Sequence, residues 1–143
     1  MIIVADTSGL LAAFDADQPE HEAARAVMDE TLLISPLVLT ELDHLMQRNH
    51  GFVAAMQASE ALLSRMIDGD YRLAEIKHVD LSTAQSVRAK YEGLRLDLAD
   101  AVGVALAHKY HTDTIFTLDQ RDFRNIEPLT PGSKAFRIVP YDN

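Results

Sequence analysis

At 143 residues, 48% hydrophobic and 24% charged, the chain has the size and make-up expected of one globular domain, 1–143, which excludes a disordered or fibrous protein. It has no cysteine, and that removes disulfide scaffolds, zinc–thiolate sites, iron–sulfur clusters and thiol nucleophiles together. Thirteen Lys and Arg against 22 Asp and Glu leave a net charge of −9, the wrong sign for a module that coats phosphates, so stable DNA binding by the chain alone is not expected.

Taken in order, the chain opens on Ile2-Ile3-Val4-Ala5, a short apolar run of the kind that fills a parallel sheet buried on both faces. Asp6-Thr7-Ser8-Gly9 offers helix caps before an apolar stretch to Phe14, and Asp17–Pro19 breaks the chain. Residues 20–30 predict a polar-faced helix and Leu32-Leu33-Ile34 a second strand. Ser35-Pro36 is an N-cap followed by proline at the first helical position, opening a helix to about Asn49. Gly51 interrupts, and 52–67 predicts another helix with Phe52, Met56, Leu63 and Ile67 along one side. A weak strand follows at Tyr71–Ile76, then a helix capped by Asp80 and running to about Tyr91. The remaining elements are a helix over Leu98–Tyr110 and strands at Thr114–Leu118 and Phe136–Val139. Alternating strands and helices predict a three-layer α/β fold, its central, mostly parallel sheet of four to five strands flanked by helices. No apolar run reaches the ~20 residues that span a bilayer, and Asp6 comes too early for a signal peptide, so a cytoplasmic address is expected.

Four acids stand where acids are costly. Asp6 and Asp119 each follow an apolar strand directly, and in an open parallel sheet the carboxyl ends of the strands form the ligand edge. Taken singly, either could be an N-cap or turn aspartate. Glu41 has Leu37, Val38 and Leu45 as helical neighbours, so it lies in an apolar stripe unless it snorkels or pairs with a base such as Arg48. Asp100 interrupts Leu98–Ala107, a helix otherwise apolar on every side. Its plain alternative is a cap, with Asp97 as N-cap and Asp100 three residues on; that accounts for Asp97 better than for Asp100. A helix after a strand begins at the carboxyl edge, and a helix before a parallel strand begins there too. Glu41, Asp97 and Asp100 therefore join Asp6 and Asp119 at one edge. Carboxylates so gathered repel unless a cation neutralises them, and hard oxygen ligands suit Mg²⁺, with Mn²⁺ as a substitute. The residues alone thus point to metal-dependent phosphoryl transfer.

The segments Val4-Ala5-Asp6-Thr7-Ser8-Gly9-Leu10-Leu11, Ser35–Leu42 around Glu41, Leu96-Asp97-Leu98-Ala99-Asp100-Ala101 and Thr117-Leu118-Asp119-Gln120-Arg121-Asp122-Phe123 occur in that order. Together they resemble the PIN-domain ribonucleases, specifically the VapC toxins of type II toxin–antitoxin modules, over essentially the whole chain. The resemblance implies a Mg²⁺-dependent endoribonuclease with Asp6, Glu41, Asp100 and Asp119 as its acids. It implies Thr7 or Ser8, and Thr117, as accessory hydroxyls. It further implies homodimers, inhibition by a small VapB-like antitoxin whose tail enters the acidic groove, and structured RNA such as tRNA or ribosomal RNA as substrate. Asp97 and Asp122 are additional acids beside the matched ones.

Two readings from other classes remain to be weighed. A receiver-like phosphoacceptor domain also gathers acids at strand ends, but it needs an aspartate after the third strand, where 52–67 is helix-like, and a late lysine; Lys134 lies in a Pro-Gly-Ser turn. A catalytically inactive PIN-fold binding module would have no need of all four acids. A haloacid-type phosphatase lacks its second aspartate after Asp6. The six histidines show no ligand pattern, and Arg95, Arg121 and Arg124 flank the last two acid motifs, either as solvated charges or as contacts to RNA phosphates.

Overall fold

The apolar runs pair with one another into a single parallel sheet. In the computed structural model, which describes residues 1–142, the strands are β1 (Ile3–Ala5), β2 (Leu32–Ile34), β3 (Arg72–Leu73), β4 (Thr114–Phe116) and β5 (Arg137–Val139). They lie in the order β3-β2-β1-β4-β5, all parallel, with Val4 beside both Leu33 and Ile115. β1 is central, and Ile3, Val4 and Ala5 are all buried, which is why its sequence shows no apolar–polar alternation.

Seven helices cover the sheet: α1 (Thr7–Phe14), α2 (His21–Val27), α3 (Pro36–His50), α4 (Phe52–Ile67), α5 (His78–Lys90), α6 (Leu98–Lys109) and α7 (Gln120–Phe123). Alternate strand residues feed two cores. Ile3, Ala5, Leu32, Ile34, Phe116 and Val139 pack with α1 to α4; Val4, Leu33, Ile115 and Ile138 pack with α5, α6 and Phe123 of α7. The result is the three-layer α/β fold.

Local chemistry sets most of the element ends. Ser35 caps α3 by accepting from Leu37 N at 3.0 Å, with Pro36 at the first position. Gly51, at φ 91°, makes the left-handed link between α3 and α4. Two expectations need correction. Asp80 does not cap α5: the helix starts at His78, and Asp80 reaches back from its third position to Lys77 N at 2.8 Å. The 71–76 strand shrinks to Arg72–Leu73 at the sheet edge. In α4, Ala55, Ala58 and Leu62 are the buried residues, while Phe52, Met56, Leu63 and Ile67 are exposed. The small side chains let α4 approach closely, so the bulky stripe is left outside.

From β1 the chain winds to β2 and β3 on one side, and it later returns to β4 and β5 on the other. The winding therefore reverses between β1 and β4, the place where an open parallel sheet leaves a crevice beyond its carboxyl ends. Asp6 follows β1 and Asp119 lies three residues beyond β4.

Candidate active site at the crevice between the first and fourth strands

Asp6 is fixed from both strands. Its N–H donates to Phe116 O at 2.9 Å. It occupies the N-cap position of α1, yet its carboxylate does not cap. Instead it accepts from Thr117 Oγ1 at 2.7 Å and Ser8 Oγ at 3.3 Å. Thr117 spends its single proton on Asp6. Ser8 thus has one proton to divide between Asp6 Oδ2 at 3.3 Å and Thr117 Oγ1 at 3.0 Å. Leu118 N donates to Ser8 Oγ at 2.9 Å and Asp119 N to Thr117 Oγ1 at 3.0 Å. These two hydroxyls, foreseen as accessory, tie Asp6 to the chain after β4. The buried Oγ1 of Thr7 has no partner.

Asp100 lies in the first turn of α6, where Asp97 caps the helix by accepting its N–H at 2.8 Å. The capping role thus belongs to Asp97 and leaves the Asp100 carboxyl free. That carboxyl sits with Asp6 over an apolar floor that includes Val4, Ala99, Ile115 and Phe123. Burial first, then the charges of Asp6, Asp97 and Asp119, pushes it up to about 9. Burial also raises Asp6, against the hydrogen bonds it accepts. Both carboxyls are thus held above their ordinary range by burial, Asp100 further by the charge of Asp6.

Asp119 caps α7 by accepting from Asp122 N at 3.0 Å. Burial and then Asp119 push the Asp122 carboxyl up as well. Carboxylate oxygens of Asp100, Asp119 and Asp122 lie within 4.8 Å of one another, and the buried Oδ1 of Asp122 has no hydrogen-bond partner. An orphaned carboxylate oxygen among mutually repelling acids is a donor set that suits a hard divalent cation. Asp122 was legible only as an additional acid near Asp119; its signal was the three-residue cap spacing, which turns both side chains to the same side.

Glu41 is not drawn into that close set. It is half-buried on the second turn of α3, and among the described residues it makes no hydrogen bond and no ion pair; Arg48 does not pair with it. No histidine is hydrogen-bonded to any of these carboxylates; His50 pairs with Asp15, away from them.

The chain matches the family model described as the PIN domain over residues 3–128. It is 36% identical over 141 residues to Ribonuclease VapC26 of Mycobacterium tuberculosis, an alignment that covers 96% of this chain and 100% of that relative. Among solved structures it resembles VapC20 of Mycobacterium tuberculosis, described as a sarcin–ricin loop cleaving toxin, with TM-score 0.74 and 22% identity over 85% of this chain and 92% of that one. VapBC2 from Rickettsia felis, bound to a promoter DNA fragment, matches with TM-score 0.69 and 17% identity over 96% and 97% of the two chains. A toxin–antitoxin complex from Klebsiella pneumoniae matches with TM-score 0.61 and 20% identity over 99% of each. At such identities the solved structures speak to the fold.

Proposed function

The chain belongs to the PIN-domain family, and from that footing we propose that it is a metal-dependent endoribonuclease of the VapC toxin kind, silenced by a cognate antitoxin. The observation that carries the reading is the meeting of Asp100, Asp119 and Asp122 within 4.8 Å, with Asp6 and Asp100 held by burial above the ordinary carboxylate range. Asp6, Asp100 and Asp119, with Asp122, would hold Mg²⁺, or Mn²⁺ in its place, and Glu41 would complete the anionic wall from α3. A divalent cation held there supplies charge against the phosphate oxygens and acidifies water.

The chain's own residues do the rest. Thr117 and Ser8 orient the Asp6 carboxylate toward the crevice, and Asp97 fixes the turn that presents Asp100. The apolar floor keeps water from screening the acids. No histidine pair is at hand to move a proton off a ribose 2′-hydroxyl and onto a leaving oxygen, so attack by water fits the site and attack by the 2′-hydroxyl does not. Neither the phosphoacceptor reading nor an inactive module draws support from an acid set arranged this way in a chain of this family.

The same acids would receive the partner. A strongly anionic crevice is blocked by a peptide carrying Arg, whose planar fork binds carboxylates two-pronged. A VapB-like antitoxin with a basic tail, a homodimeric toxin, and a structured RNA substrate such as tRNA or ribosomal RNA complete the proposal. Phe52, Val53, Met56, Leu63 and Ile67, exposed on α4, supply apolar surface for assembly. No helix of the described residues is long and apolar enough to cross a membrane; we place the protein in the cytoplasm.

Incubation with total RNA, with and without Mg²⁺, followed by mapping of the ends, tests the reading. Cleavage that needs Mg²⁺ and leaves 5′-phosphate and 3′-hydroxyl ends is expected. Ends bearing 2′,3′-cyclic phosphate, or full cleavage in EDTA, would overturn it.

A further inference from the structure

A chain of net charge −9 that acts on RNA needs fixed positive charge beside its acids, and the position of the unengaged bases singles out two residues. Of the thirteen Lys and Arg, most hold a carboxylate, a backbone carbonyl, an amide or an aromatic ring. Arg124, one of the three arginines near the acid motifs, is among these: it clamps Asp142 with two contacts of 2.8 Å and takes Gln120 as well. Among the described residues, the side chains of Arg25, Arg48, Arg95, Arg121, Lys134 and Arg137 make no such contact. Arg25 and Lys134 precede β2 and β5, Arg137 opens β5, and all three stand toward the amino edge of the sheet. Arg48 is in the last turn of α3, two residues from His50, which meets Asp15 at the far end of α1. Only Arg95 and Arg121 share the carboxyl edge with the acid cluster.

Both lie on the segments that carry the acids, Arg95 two residues before Asp97 and Arg121 between Asp119 and Asp122. Arg95 stands two residues before the cap of α6 in a left-handed conformation, φ 53° and ψ 47°, which side chains other than glycine and asparagine rarely adopt. Its turn is pinned by Arg95 N on Glu92 O at 3.1 Å and Arg88 Nε on Leu96 O at 3.0 Å. It is tied to the segment after α7 through Glu127 N on Tyr91 Oη at 3.0 Å. The side chain opens onto a cavity of about 420 Å³ shared with Gln85, Arg88 and Glu92. Arg121 lies on α7 between Asp119 and Asp122; its backbone carbonyl accepts from Asn125 Nδ2 at 2.6 Å while its guanidinium stays exposed and unpaired.

We propose that Arg95 and Arg121 bind RNA backbone phosphates on the two sides of the phosphate held at the carboxylates, and so set the path of the strand through the crevice. The inference rests on the nuclease reading above. It assigns these residues to binding; the reacting atoms remain with the acids.

Anisotropy of a short labelled single-stranded RNA, with Ca²⁺ in place of Mg²⁺ to hold back cleavage, tests it across a salt series. Arg95→Gln and Arg121→Gln should each raise Kd and lower the slope of log Kd against log salt by about 0.7, and the double variant by about 1.4. Arg95→Lys should recover the slope. Arg25→Gln and Lys134→Gln should leave it at the parent value. Melting temperature and Mn²⁺ titration should match the parent throughout, which separates lost contact from lost fold. A double variant with the parent's Kd and slope overturns the inference and leaves the nuclease reading intact. So does an equal loss in the amino-edge variants. A parent that binds neither Mn²⁺ nor RNA overturns the nuclease reading and this inference with it.

Discussion

Asp97 and Asp100 are one helical turn apart and do opposite things for stability. Asp97 accepts a backbone N–H and asparagine caps nearly as well, so Asp97→Asn should keep the fold and most activity. Asp100 ionises only near 9 in the folded chain against an ordinary value of 3.8. Between those values the folded state binds more protons than the unfolded state, so metal-free stability must fall as pH rises from about 4 toward 9. Asp100→Asn should flatten that fall, hold or raise the melting temperature in EDTA at pH 8, and abolish RNA cleavage. Thermal melts at several pH values, paired with a cleavage assay, check all three. The reverse ranking of the two variants would shift the acid assignment by one turn. Asp100 was legible in the sequence because nothing else in Leu98–Ala107 is charged. Asp122 was legible only as an additional acid, because membership in the set depends on how Asp119 turns the chain, and Asp119 is held by Thr117 Oγ1 against α1.

Among the elements, α1 and α6 each carry a glycine toward the sheet, with opposite consequences. A Cβ on Gly9 would stand 2.7 Å from both Cδ1 and the carbonyl O of Phe116, and a backbone carbonyl in β4 cannot yield cheaply. Gly9→Ala should therefore cost about 1–3 kcal/mol, and should impair cleavage as well, since α1 carries Ser8 against Thr117. A Cβ on Gly103 meets only Val4 Cγ1 at 4.0 Å, an ordinary contact. There the better helix propensity of alanine prevails, and Gly103→Ala should stabilise by about 0.5–1 kcal/mol. Denaturant titration of both variants gives the two signs. Element type and order were largely readable, since apolar strand runs and caps such as Ser35-Pro36 are local signals. The start of α5 was missed because Asp80 looks the same in sequence whether it caps or reaches back. The stripe of Phe52, Met56, Leu63 and Ile67 was legible as one side of α4, but not that it is the outer side, because Ala55 and Ala58 bury well through close approach.

At the scale of the whole molecule, the order of strands decides where the chemistry sits. Neither that order nor the reversal between β1 and β4 follows from element types, because parallel pairing is set by contacts far apart in sequence. The edge on which the acids gather was nonetheless derivable, since any helix flanking a parallel strand must start or finish there. Charge is segregated to match. The acids of the site share the carboxyl edge with Arg95 and Arg121, while Arg25, Lys134 and Arg137 lie toward the opposite end. The most direct measurement is a calorimetric titration of Mn²⁺ into the purified chain and into Asp100→Asn. Saturable binding in the parent, lost or strongly weakened in the variant, is the predicted result. Equal binding in both, or none in the parent, would contradict a cation held by these carboxylates.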